Sequence, residues 1–503
     1  MKTPSLKSIT KGQPLDVLII GAGWAGLGAA RHLQKYAPNQ TTFAILEGRS
    51  THIGGRSRTL LLSDGITKAE VGSQWIQGAS QNNPIFQATL DAGISYVRCA
   101  DDDTSWSNAV YWSTDKGDST QRLSEAELDH LVETCYEGPS GFMKYQERLQ
   151  DITKGDRSLR EVADDYISTR QPKMTPREIS AFEWILDSVI SEEYAASLED
   201  LSSNTWDADD ELIGGDVYLA TNDERSGYSS LVDYVAAPFF DKIHLDTKVT
   251  VIDWSQQPVR IQAVNGQDSN DIYMEANHVI VTVPLGVLKA GCIDFIPKLP
   301  QDKQDAIDKL GMGLLNKCTM LWNEDDVLPW PSDKEWIERI IVDPQEGRQG
   351  RWTEFYSPPI HNCIDRPAPI LYAYSSGQAA QCAEEEYSNE ETKQEVLSNL
   401  KSIFGSSYVP EPEEVLLSRW GEDEFSMGAY SYQRVGSTLD HRRDLGRPLN
   451  HRLYFAGEAT HPRQFATTQG ALLSGIHVAK TIISGLSGTL PGRPRQKRRR
   501  KDP

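Results

Sequence analysis

The stretch LDVLIIGAGWAGLGAARHL, residues 15–33, constrains this chain more than any other. An apolar run through Val17, Leu18, Ile19 and Ile20 reads as a buried strand, and Leu27 to Leu33 reads as a helix. Between them Gly21, Gly23 and Gly26 take the spacing G-x-G-x-x-G. Gly21 permits the tight turn, Gly23 lets the backbone approach a pyrophosphate, and Gly26 lets the helix pack closely. The helix N-terminus then offers free N–H groups and partial positive charge to phosphates. TTFAILEG reads as the next strand and ends on Glu47, twenty-six residues after Gly21, where a carboxylate reaches ribose hydroxyls. Residues 15–47 are therefore read as a βαβ unit that binds a dinucleotide.

Elsewhere the chain alternates between strand-like and helical stretches. Residues 120–235 carry helical patterning (LSEAELDHLVETCYE, EISAFEWILDSVISEEYAASLEDL), whereas KIHLDTKVTVIDW, ANHVIVTVPLGVL, PILYAYSS and RLYFAG read as strands. Strands of dinucleotide-binding type thus recur at the start, middle and end. The expected fold is α/β with two discontinuous domains. A Rossmann-like domain is expected from 15–100, 225–300 and 440–485, and a mixed sheet and helix domain from 100–225 and 300–440. Residues 486–503 are expected to be a disordered basic tail.

Bulk properties narrow the classes further. The 503 residues suffice for about two or three domains, and no apolar run approaches the roughly 18 residues of a membrane helix. The leader MKTPSLKSITKGQPLD lacks the apolar core of a secretory signal. Six cysteines without paired or metal-ligand spacing suggest reduced thiols in a cytoplasmic setting and no metal site. Net charge is −21, yet RPRQKRRRKDP carries seven Lys/Arg against one Asp; removing that +6 leaves −27 on the rest. Such a body repels nucleic acid and steers cations inward. Any contact with nucleic acid is assigned to the tail, which also reads as a candidate nuclear signal.

A second glycine pair, Gly54-Gly55 followed by Arg56 in THIGGRSRT, separates the flavin cofactors from the nicotinamide ones. It resembles the second FAD fingerprint of the flavin-containing amine oxidases, whose arginine approaches the pyrophosphate. EVGSQWIQG, ANHVIVTVPLGVLKAGCIDFIPKLP and LYFAGEAT…GALLSG are similar to three further segments of that family, in the same order. The resemblance covers roughly 15–485 and is strongest to polyamine oxidases, on LLNKCTMLW and RWGEDEFSMGAYSY. Histone lysine demethylases share the oxidase fold with extra helical modules, which are not read in this chain. The resemblance implies that a C–N bond is oxidised by hydride transfer to flavin N5, with O2 reoxidation to hydrogen peroxide. The protein then supplies orientation, a dry pocket and a neutral amine.

The site residues follow from it. Lys317 matches the lysine that holds a water near flavin N5; its apolar neighbours also predict burial and a lowered pKa. Gly72, Ser73, Gln74 and Trp75 match the segment running past the flavin ring, and Trp420 another pocket wall. Glu458 matches the acid near the ribityl chain, Val249 an adenine-holding backbone position, and Thr468 the start of the last flavin helix. Tyr430 matches one aromatic wall of the substrate tunnel. Two departures stand out. Gln77 replaces an acid or histidine that recognises a distal amine, and Thr467 replaces the second cage aromatic, widening the slot and adding a hydroxyl. Glu192 and Glu193 are candidate carboxylates at the tunnel mouth, and Arg463 is a candidate partner for a substrate carboxylate if it points inward. HPRQFATTQGALLSG has no cysteine, so noncovalent FAD is expected. A small amine and O2 are the expected partners; an oxidase of another amine, or a flavin-binding regulator with little turnover, are the alternatives.

Overall fold

The structure, a computed structural model, describes residues 13–99, 109–114, 120–152, 155–170, 173–266, 270–342, 351–358 and 370–486. The basic run from Arg493 to Lys501, and nearly all of the expected 486–503 tail, lies outside the described residues, as does Cys363.

Two sheets organise the α/β fold. The first runs in the order Ile243–His244, Phe43–Leu46, Leu15–Ile20, Asn270–Val281, Val259–Asn265, Thr247–Asp253, Asp294–Ile296, with Leu453–Phe455 also on Asn270–Val281. The long strand Asn270–Val281 changes partners along its length. Its first half pairs antiparallel with Val259–Asn265, and its second half runs parallel to Leu15–Ile20 and to Leu453–Phe455. Ala276 is the hand-over residue, facing Leu15 on one side and Val259 on the other. The parallel strands are buried on both faces, which is why LDVLII and FAIL read as continuous apolar runs rather than alternating ones.

KIHLDTKVTVIDW, a stretch of strand character in the sequence, holds two strands. Asp246 takes φ +55°, so Ile243–His244 finishes the parallel edge while Thr247–Asp253 turns away into the antiparallel hairpin. VTVPLGVL likewise stops as a strand at Val281, and Pro284 opens the short helix Leu285–Lys289. The helix Trp24–Tyr36 packs on the helix Thr468–Leu486 at such close range that a Cβ on Gly475 would lie 1.9 Å from the Ala25 carbonyl oxygen.

The second sheet orders Glu414–Leu417, Leu315–Leu321, Ile370–Ser376, Arg351–Tyr356, Trp336–Val342, Ala109–Thr114 and Gln121–Arg122. Its helical cover begins at two capping boxes, Ser124 with Glu127 and Thr175 with Glu178, which satisfy helix N–H groups that would otherwise lack partners. Phe142, Tyr166, Phe182 and Trp184 form the centre of that helical layer. Within EISAFEWILDSVIS, whose patterning is helical, α-helix Pro176–Leu186 passes into a π-helical turn at Asp187–Ser191, a feature that re-aims side chains. No described helix is long and apolar enough to cross a membrane.

Candidate functional site

A cavity of about 840 Å³ lies between the two sheets. At one end it is lined by the glycine turn: Gly21, Gly23, Trp24 and Ala25, with Glu47 at the end of the next strand. The helix Trp24–Tyr36 has no side-chain cap, so its first N–H groups open onto the cavity. Gly26 sits against the turn so tightly that a Cβ would meet the Gly21 carbonyl oxygen at 2.0 Å. Gly23 has only the Gly55 Cα near its missing Cβ, at 4.0 Å, and Gly457, at φ +151°, has nothing within 4 Å. These two glycines therefore hold space beside backbone that any side chain would fill. An extended, phosphate-bearing group fits that trough.

The predicted polar groups gather there, and several are already engaged. Glu47 accepts backbone N–H groups on both oxygens, from Ala22 at 2.8 Å and Arg49 at 2.9 Å; burial raises its pKa despite them. Arg56 donates to Glu458 at 3.1 Å and to the Ala429 carbonyl at 2.6 Å. Glu458 also accepts from Ser431 at 2.6 Å and from the Ala466 N–H at 2.9 Å. Burial would raise Glu458, but Arg56, Ser431 and the fully buried Arg442 hold its carboxyl below the ordinary range. Ser73 closes a chain from Trp24 Nε1 through Ser57, which joins the two glycine segments. Gly72, Trp75, Val249, Trp420 and Thr468 line the cavity as well.

Lys317 projects from Leu315–Leu321 into the middle of the cavity and is 4% exposed. Its Nζ donates to the Gly72 carbonyl at 2.6 Å and to Gln74 Oε1, which also accepts from Tyr374 at 2.9 Å. Burial drives Lys317 well below the usual lysine range, opposed by the buried carboxyl of Glu70; burial raises Glu70 in turn. A neutral lysine has two N–H donors, and both are taken, which leaves its lone pair as the free function. Gln74 Nε2 is buried with no partner, a donor awaiting an acceptor within the cavity.

Beyond Lys317 the lining is aromatic, then acidic. Trp75 stacks on Trp336 at 5.9 Å and meets Tyr356 edge-on at 5.1 Å. Tyr430 lines the cavity and donates to the Glu192 carbonyl at 2.9 Å. Gln77, Glu192 and Glu193 line the same region, with Glu193 exposed and Glu192 half-buried. Thr467 also lines it, but its hydroxyl donates to the Gln464 carbonyl and accepts from the Gly470 N–H, both at 2.9 Å, as a helix cap does. Arg463 pairs with Asp210 at 2.8 Å with both side chains about half exposed, the outward arrangement.

Sequence reasoning missed Glu70, Asp187, Glu338 and Glu354. Burial and the charge of Asp187 push Glu354 up to about 8, and burial pushes Asp187 up to about 7. For Glu338 and Glu354 the signal was legible: one acid inside an apolar strand, as in WIERIIV and RWTEFYS, marks a buried charge. Because the folded state holds the Glu354 proton up to about 8 and the unfolded chain releases it near 4.5, stability is lost as pH rises through that window. Glu354→Gln should flatten this loss and raise the melting temperature at pH 8 by a few degrees, measured by thermal denaturation.

Comparison with known proteins decides the family, since a profile described as flavin containing amine oxidoreductase matches residues 24–483. The chain belongs to the flavin-containing amine oxidoreductases. Among curated amine oxidoreductase relatives, Lysine-specific histone demethylase 1 homolog 1 of Oryza sativa subsp. japonica is 31% identical over 490 residues, 93% of this chain and 52% of that protein. The chain thus spans about half the length of the demethylase homologues it matches. Probable polyamine oxidase 4 of Arabidopsis thaliana is 28% identical over 468 residues, 92% of this chain and 86% of that one. A solved putrescine oxidase bound to putrescine superposes with a TM-score of 0.68 at 19% identity, over 94% of this chain and 99% of that one, a likeness of fold. The open glycine trough, the uncapped helix and the unpartnered Gln74 donor fit the flavin cofactor that the family carries.

Proposed function

We propose that the chain is an FAD-dependent oxidase of cationic aliphatic amines, with polyamines as the leading substrate class. The observation that carries this reading is the cavity itself, in which the glycine trough, a buried lysine and an acid-rich wall are continuous. Gly21, Gly23, Gly55, Arg56 and Glu47 would hold the dinucleotide end, Glu458 and Thr468 the middle, and Gly72 to Trp75 with Trp420 the reactive end. When bound, the flavin supplies the two-electron acceptor that C–N oxidation needs, with O2 as terminal oxidant. Lys317, which burial brings down to about 7, exchanges a proton at Nζ, while Gly72 and Gln74 fix its direction. Trp75, Tyr356, Tyr374 and Tyr430 exclude water and flank an alkyl chain. The acids at the mouth draw in a protonated amine, and the dry interior favours its neutral form.

The residues from Gln464 to Thr467 that line the cavity offer no thiol, which supports noncovalent FAD; acid precipitation should release the yellow colour into the supernatant. We assign the cofactor domain to the segments around the first sheet and the substrate domain to those around the second, with the boundaries expected from sequence. The demethylase homologues favour a second reading, a lysine side chain on a peptide. Mixing the oxidised holoprotein anaerobically with spermine, spermidine, amino acids, aromatic amines and methylated lysine peptides separates the readings. Bleaching of the flavin by polyamines within seconds is the expected result. Bleaching by peptides alone transfers the assignment to the second reading, and no bleaching by any amine leaves a flavin-binding regulator.

A further inference from the structure

Among the described residues, two buried side-chain atoms without a hydrogen-bond partner belong to residues that line the cavity: the donor Gln74 Nε2 and the acceptor Gln464 Oε1. Gln74 is the one bonded to Lys317. The backbone around it is clamped. The Ser73 N–H donates to the Arg56 carbonyl at 3.0 Å, a Cβ on Gly72 would lie 1.9 Å from that same oxygen, and Trp75 pairs with Tyr218. Gln74 is thus held on both sides along the chain, and it is 2% exposed.

The carboxamide is fixed as well. Gln74 Oε1 accepts from Lys317 Nζ and from the Tyr374 hydroxyl at 2.9 Å, which occupies both lone pairs of a carbonyl oxygen. Two bonds on one planar oxygen set the plane of the amide, and with it the directions in which Nε2 donates. Both bonds also draw electron density toward Oε1 and so strengthen the N–H groups as donors. A buried, oriented donor with no acceptor in the protein calls for a ligand that brings one.

Cofactor and amine are the two ligands of this cavity. The nitrogen of an amine undergoing C–N oxidation must keep its lone pair free, because that pair becomes part of the new C=N bond. A donor aimed at it would oppose the reaction. An oxidised flavin ring, in contrast, presents carbonyl oxygens and unprotonated ring nitrogens, all of them acceptors. Ser73 is tied to Arg56 of the second glycine pair, which sets Gln74 beside the cofactor trough.

We propose that Gln74 is a catalytic residue whose Nε2 donates a hydrogen bond to an acceptor atom of the bound flavin ring, with Lys317 and Tyr374 holding the amide in place. The inference rests on the flavin-oxidase reading of the cavity. It makes a neutral side-chain amide one of the groups that set how readily the cofactor takes up electrons.

Gln74→Met keeps the length of the side chain and removes the donor. Wild-type and variant holoproteins are compared by redox-dye titration and by reduced-minus-oxidised infrared difference spectroscopy, neither of which needs an amine. The variant should change the reduction equilibrium at least tenfold, about 30 mV for a two-electron couple, and displace a carbonyl or C=N band of the flavin ring. A lower potential identifies an acceptor whose negative charge grows on reduction; a higher one identifies the ring nitrogen that gains hydrogen. Tyr374→Phe, which loosens the amide but leaves Nε2 in place, should shift both readouts the same way and by less. If Gln74→Met purifies without flavin, a shift in Tyr374→Phe supports the donor and no shift overturns it. Flavin stoichiometry and cooperative melting verify that each variant is folded. A Gln74→Met variant with wild-type potential and ring bands overturns the proposal. So does one whose flavin is unchanged while spermidine binds the dithionite-reduced holoprotein more weakly, since the donor then faces the amine. Anaerobic bleaching by amines is scored separately. If no amine bleaches the flavin but the shifts persist, the donor assignment stands and the oxidase reading falls; bleaching without any shift gives the reverse.

Discussion

Replacing Lys317 with methionine should slow the amine-dependent reduction of the bound flavin, or its reoxidation by O2, by about a hundredfold, the usual scale for a positioned proton acceptor. Methionine keeps most of the volume and the apolar surroundings, so the flavin should remain bound and the protein folded. The change removes the Nζ that donates to Gly72 and Gln74, and with it the only lysine besides Lys248 that lines the cavity among the described residues. Burial and Glu70 act on Lys317 in opposite senses, so the wild-type rate should show an ionisation in the pH profile that the variant lacks. Anaerobic stopped-flow across pH reads both. An unchanged rate at every pH would take Lys317 out of the chemistry.

Glu458→Leu should be the most damaging single change to stability. It leaves Arg56 and the fully buried Arg442 without the carboxylate between them, and losing one partner of a buried ion pair costs about 3–5 kcal/mol. It also frees the Ala466 N–H, on a residue held at φ +62°. Lower melting temperature and protein purified with little flavin are the expected readouts. Because the folded pKa of Glu458 is depressed, its stabilisation is present above the ordinary carboxyl value of 4.5 and disappears as pH falls through the lower folded value. The variant should lack that acid-limb loss; a wild-type acid limb in the variant would show that Glu458 stabilises nothing.

The cofactor trough was legible because its chemistry is local. Gly21, Gly23, Gly26 and Glu47 sit within one βαβ unit, and strand, turn and helix can be read from periodicity and glycine spacing. Lys317 was legible for a similar reason, being one charge inside an apolar strand. That Glu354 and Glu338 fall in one row with it was not legible, because register sets it: Lys317, Tyr374, Glu354 and Glu338 come from four strands whose pairing no window of sequence displays. Thr467 shows a second limit. Its residue type suggested a hydroxyl offered to substrate, but the backbone at Gln464 and Gly470 uses that hydroxyl first. Breaks inside a strand-like stretch are a third limit, because a single backbone angle sets them, as at Asp246.

The helix Trp24–Tyr36 rests on the helix Thr468–Leu486, and Arg56 finds its anion at Glu458, 402 residues further along. During synthesis the glycine turn therefore leaves the ribosome long before its covering helix exists. Ala25, Ala29 and Leu33, buried in the finished protein, stay uncovered on that side meanwhile. A nascent chain halted anywhere before about residue 470 has the phosphate-binding half of the trough and no lid to hold a dinucleotide in it. Cofactor capture is thereby tied to completion of this helix pair, and the binding energy of the flavin goes to stabilising a chain that has reached its last helix.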